Sequence, residues 1–163
     1  VLLGGGYAAF LYALLTAESN PLYRSKVRET IGLAVPSEGL RVLEVGIAGA
    51  SNLEFYPAGT KLVGLDANLP DVEERRGIEA RARERDVRVY WVRGNAQRLP
   101  FEDGTFDAVV MTKVLCSAIS PPAALREVSR VLAPGGRFGY VEHVAAEPGS
   151  LLEGQQLLLD PFQ

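Results

Sequence analysis

Leu43-Glu44-Val45-Gly46-Ile47-Ala48-Gly49-Ala50-Ser51-Asn52 is the stretch whose reading decides the fold. A short apolar run ends there in a glycine-bearing turn, and a second run, Lys61-Leu62-Val63-Gly64-Leu65-Asp66, closes on an acid 22 positions after Glu44. This is the plan of a nucleoside-binding crevice at the carboxyl ends of neighbouring parallel strands. Glycine lets the backbone approach a ligand closely, and a carboxylate at the second strand accepts hydrogen bonds from both ribose hydroxyls. A tight strand-to-helix turn that binds nothing has the same local sequence, so the rest of the chain has to weigh in.

From Leu40 onward, short β-branched runs alternate with helical segments, the pattern of a parallel sheet covered on both faces. Strands are predicted over 41–47, 61–66, 87–92, 106–112 and 137–142, giving an α/β, Rossmann-like sheet in the order 3-2-1-4-5. Residues 71–85 are so dense in Glu and Arg, with Glu79 and Arg83 four apart, that they read as a solvated helix and not as a site. Pro121 and Pro122 open another helix, in which Leu125, Val128, Val131 and Leu132 keep helical spacing until Pro134, Gly135 and Gly136 end it.

A chain of 163 residues, 47% hydrophobic and 23% charged, builds one globular domain with a real core. A net charge of −3 offers no broad basic surface, which disfavours a nucleic-acid partner. The single cysteine, Cys116, excludes an internal disulfide, and one histidine, His143, is too few for a Cys/His metal cluster.

Residues 1–17 carry no charge and include Leu2, Leu3, Tyr7, Phe10, Leu11, Tyr12, Leu14 and Leu15. That is just short of the roughly 20 apolar residues that span a bilayer. A helix buried on its own domain is the ordinary alternative, and Gly4-Gly5-Gly6 lowers helix propensity, although glycine is well tolerated in membrane helices. Arg24, Lys26 and Arg28 follow as a basic boundary cluster. The expected organisation is a hydrophobic anchor or partner-binding helix over 1–17, a linker or helical segment over 18–39, and the α/β domain over 40–163. The start at Val1 and the stop at Gln163 after an apolar stretch read as the ends of a processed or partial chain.

Further motifs follow in order: Gly94-Asn95-Ala96, Leu99-Pro100-Phe101, Gly104-Thr105-Phe106-Asp107, Glu127-Val128 through Val131-Leu132, and Pro134-Gly135-Gly136. Over 40–163 this series resembles class I S-adenosylmethionine-dependent methyltransferases. Asn52-Leu53-Glu54-Phe55-Tyr56, Val114-Leu115-Cys116-Ser117, Glu142-His143-Val144-Ala145-Ala146, and Gln155-Gln156 through Asp160-Pro161 make it most similar to the thiol methyltransferase group of membranes and lipid droplets, with its plant and algal plastid relatives.

The resemblance implies S-adenosylmethionine as cofactor, held by Glu44, Gly46, Ala48, Asp66, Ala67, Asn95, Ala96 and Thr112. Asn95, often an acid in the family, and Ala96 would meet the adenine. The resemblance also implies a hydrophobic anchor, which 1–17 would supply, and a membrane setting: chloroplast first, with mitochondrion or endoplasmic reticulum and lipid droplet as alternatives.

The sequence departs from the family pattern in three places. The family's Gly-x-Gly-x-Gly turn has Ala48 and Ala50 at its second and third glycine positions. Lys113 follows the fourth strand where close relatives carry an apolar residue, and complete members continue to two further strands.

Methyl transfer from a sulfonium works mainly by positioning, with a base needed only where the acceptor must lose a proton. His143, just past the fifth strand, is the candidate base, with a structural hydrogen-bonding role as its alternative. Cys116 is the second catalytic candidate, with the alternative of an ordinary buried small residue. Glu142 either orients His143 or ends a strand. Two functions remain open: methylation of a small thiol or apolar acceptor such as a quinone or isoprenoid, or an inactive fold serving as a subunit of an organellar membrane complex.

Overall fold

The computed structural model describes residues 20–142. Ser25–Glu142 form one compact unit, and of the residues outside it only 20–24 are described. The anchor expected over 1–17, the candidate base His143 and the motifs beyond it therefore lie outside the described residues.

Helix α1 (Pro21–Ala34) begins where the Asn20 side chain accepts from the N–H of Leu22 at 2.9 Å, and Pro21 follows the cap, where its missing N–H costs nothing. Its buried residues Val27, Ile31 and Ala34 recur at the spacing of one helical face. Strands β1 (Arg41–Val45) and β2 (Lys61–Asp66), helix α2 (Val72–Glu84), strands β3 (Arg88–Arg93) and β4 (Phe106–Thr112), helix α3 (Pro121–Val131) and strand β5 (Leu132–Val141) follow. The charge-dense run is helix α2, capped by the Asp71 carboxylate on the N–H of Glu74 at 2.9 Å, with acids in its first turn and arginines in its last.

The five strands pair in parallel in the order β3-β2-β1-β4-β5, as the sequence predicts. Central strands of such a sheet are buried on both faces, which explains their continuous apolar runs. Val42, Leu43 and Val45 of β1 and Ala108 to Met111 of β4 are sealed from solvent, whereas burial along the edge strands β3 and β5 is intermittent. Gly139 on β5 lets α1 approach: a Cβ there would lie 2.9 Å from the Cβ of Ala34.

Two boundaries differ from expectation by more than one residue. Strand β1 stops at Val45, because Gly46 takes φ +76° and turns the chain. Helix α3 ends at Val131, and the chain is already extended at Leu132, which pairs with Phe106. The pairing resumes at Ala108 with Arg137, so Pro134-Gly135-Gly136 form a bulge within β5 instead of ending a helix.

Candidate functional site

Parallel register brings the carboxyl ends of β1, β2 and β3 side by side, and with them Gly46, Asp66 and Gly94-Asn95. The Leu65 carbonyl accepts from the Gly46 N–H at 2.7 Å, and the Asp66 carbonyl accepts from the Gly94 N–H at 3.0 Å, so three turns are tied edge to edge. A side chain at Gly46 would run into Val114 Cγ2, which leaves glycine as the residue that fits.

Asp66 ends β2 half-buried. Its Oδ2 accepts from the N–H of Ala48 at 3.0 Å and its Oδ1 from that of Asn68 at 2.9 Å. Each oxygen thus keeps a lone pair for a hydroxyl donor. Ala67 follows it, exposed. The oxygen of Asn95 accepts from the Gln97 N–H at 2.9 Å, closing a local turn that presents Asn95 and Ala96 at the crevice edge.

Ala48 and Ala50 adopt φ of +42° and +54°. The family's glycine positions are therefore kept in the left-handed conformation that favours glycine, but are filled by alanines.

Glu44 lies beneath the turn, with 1% exposure. Its Oε1 accepts from Asn52 Nδ2 at 2.7 Å and its Oε2 from the Tyr56 hydroxyl at 3.0 Å; Asn52 also donates to Thr112 Oγ1 at 3.1 Å. Burial, only partly offset by these two donors, pushes the Glu44 carboxyl up to about 7, while burial together with the neighbouring Glu44 carboxylate raises the Tyr56 hydroxyl well above its ordinary range. Glu44 and Thr112 thus support the crevice from within. Asn52 and Tyr56 were not singled out as site residues from sequence; their signal is the i, i+4 spacing that a 3-10 turn over Leu53–Phe55 converts into two donors on one carboxylate.

Beyond β4, Lys113 turns the chain at φ +56°, its N–H donating to the Val141 carbonyl at 2.9 Å. Cys116 lies on the following turn and is exposed, which corrects the reading of a buried small residue. Its sulfur lies 3.6 Å from the Lys113 carbonyl and 3.8 Å from the Ser117 hydroxyl. A shallow hollow of about 420 Å3 between α1 and β5, lined by Leu33, Phe138 and Tyr140 among others, gathers no carboxylate, cysteine or histidine and is separate from the crevice.

The model of the methyltransferase domain family matches residues 43–139, the span that carries the crevice. The chain belongs to that family. This methyltransferase domain is 36% identical over 159 residues to the human thiol S-methyltransferase TMT1B, covering 95% of this chain and 65% of that protein. To human thiol S-methyltransferase TMT1A it is 38% identical over 148 residues, covering 87% and 60%. The chain thus spans about two thirds or less of the length of these relatives. Among solved structures, the [4+2]-cyclase SpnF matches with a TM-score of 0.68 at 28% identity, over 79% of this chain and 48% of that one. YcgJ of Bacillus subtilis matches with a TM-score of 0.61 at 28% identity, over 74% and 53%.

S-adenosylmethionine is the cofactor that membership of the family implies, and the residues present fit it. The fit rests on the acceptor lone pairs left on Asp66 and on the close backbone approach at Gly46.

Proposed function

We propose that this chain is the cofactor-binding core of an S-adenosylmethionine-dependent methyltransferase that methylates a small thiol or apolar acceptor at a membrane. The observation that carries the reading is the convergence of Gly46, Asp66 and Asn95 at three adjacent strand ends. When bound, S-adenosylmethionine supplies an electrophilic methyl group on a sulfonium.

The chain's own residues act by binding and positioning. Asp66 takes the ribose hydroxyls on its remaining lone pairs, and Asn95 with Ala96 borders the adenine. Gly46, Ala48 and their neighbours give backbone to the methionine portion, and the Glu44–Asn52–Thr112 chain of hydrogen bonds fixes the turn to the end of β4. Placing acceptor and methyl group in line is then the main catalytic contribution. His143 and Cys116 remain the candidates for handling an acceptor proton.

The thiol acceptor is supported by the likeness to thiol S-methyltransferases, and the membrane setting by the uncharged run 1–17; a chloroplast as its first location rests on the resemblance to plant and algal plastid relatives alone. Among the described residues no helix is long and apolar enough to cross a membrane.

The alternative is an inactive fold that serves as a subunit of a membrane complex. The alanine at φ +42° favours it, because Ala48 sets an exposed methyl group where the family has bare backbone, whereas the Ala50 methyl is buried. Calorimetry of the full chain with S-adenosylmethionine decides between the two. Saturable binding that falls at least about tenfold in Asp66→Ala supports the enzyme. Absence of binding by the wild type overturns it in favour of the subunit.

A further inference from the structure

Glu142 follows β5 directly and points its carboxylate across to the turn after β4. Its Oε1 accepts from two backbone donors, the N–H of Val114 at 2.8 Å and that of Leu115 at 2.9 Å. The clamp holds the segment that follows the left-handed Lys113, and Val114 is the residue whose Cγ2 packs on Gly46. Glu142 therefore governs the wall of the crevice on the β4 side, opposite Asp66 and Asn95.

The second oxygen is the unusual feature. Glu142 Oε2 is buried and has no hydrogen-bond partner among the described residues. Capping two N–H groups takes a single acceptor atom, which a neutral amide or hydroxyl supplies without burying an orphan oxygen. A carboxylate here is therefore more than the clamp requires, and what it adds is negative charge close to the glycine turn.

We propose that Glu142 is a positioning residue with an electrostatic role: it fixes the Val114-Leu115 wall and keeps a negative charge there that favours a cationic sulfonium over a neutral thioether. This rests on the cofactor reading above. The site then discriminates between the methyl donor and its demethylated product, which differ at the sulfur by one positive charge and one methyl group, and product release is eased.

Glu142→Gln keeps an acceptor oxygen on the two N–H groups and removes the charge, whereas Glu142→Ala removes both. Affinities of the full chain for S-adenosylmethionine and S-adenosylhomocysteine are measured for each, together with amide exchange at Val114 and Leu115. The expected result for Glu142→Gln is unchanged exchange, about a fivefold to tenfold loss of affinity for S-adenosylmethionine, and little change for S-adenosylhomocysteine. Glu142→Ala should also expose the Val114 and Leu115 amides and weaken both ligands. Equal weakening of both ligands in Glu142→Gln, or no change in either, overturns the inference and leaves the cofactor reading intact. Failure of the wild type to bind either ligand overturns both.

Discussion

Glu44 and Glu127 are the same residue type at the hubs of two polar clusters, and the protein drives them in opposite directions. Glu44 sits under the crevice with only neutral donors, Asn52 and Tyr56, and burial pushes it up to about 7. Glu127 lies on α3 with Arg130, whose side chain bonds it at 2.8 Å, and that guanidinium holds it down at about 2. The second cluster works on the outside: Glu127 also accepts from the Leu99 N–H at 2.7 Å, and Arg130 donates to the carbonyls of Leu99 and Phe101. It ties the loop after β3, and so the Asn95 side of the crevice, to a helix. The difference shows that a carboxylate's role is set by whether its donors carry charge and whether water reaches it.

Breaking the buried hub has the largest expected effect. Asn52→Ala leaves both Glu44 Oε1 and Thr112 Oγ1 without their buried donor, and should lower unfolding free energy by about 3 kcal/mol, read from urea denaturation at neutral pH. A loss below about 1 kcal/mol would mean that water or a rearranged side chain takes over, and that the hub is less closed than its burial indicates.

The two carboxylates also predict opposite pH limbs. Glu44 is raised in the folded state, so its contribution is full below its ordinary value of 4.5 and is lost as pH rises through about 7. That loss amounts to about 3 kcal/mol. Glu127 is depressed, so its contribution is present above 4.5 and is lost as pH falls through about 2; partial solvent access limits it to about 1 kcal/mol. Denaturation curves across this range should show Glu44→Gln flattening the neutral limb alone and Glu127→Gln flattening the acid limb alone. Both variants acting on one limb would dissolve the contrast.

The smallest effect sharpens the comparison at the turn above Glu44. Left-handed alanine costs about 1 kcal/mol, and glycine's freer unfolded chain returns much of the gain. Ala48→Gly with Ala50→Gly should therefore leave stability within about 1 kcal/mol while strengthening S-adenosylmethionine binding about fivefold, measured by calorimetry. Weaker binding by the double variant would show that the alanine methyls contact the cofactor productively.

The sequence by itself determined the sheet and the place of its crevice. Apolar runs at β-α spacing specify parallel strands, a glycine turn followed by an acid specifies which strand ends meet, and both are local signals that need no partner residue to be read. Pro121 and Pro122 marked the start of α3 for the same reason.

Only the tertiary structure decided what lies behind the crevice. Glu44 meets Tyr56 twelve positions on and Thr112 through Asn52, while Glu142 reaches back 28 positions to Val114. It also decided that Pro134-Gly135-Gly136 bulge within β5, because Leu132 is already paired with Phe106 before they begin. Such hydrogen bonds leave no periodicity in the sequence. They exist because the parallel register brings distant strand ends to one edge, where a buried polar group must find its partner across the fold.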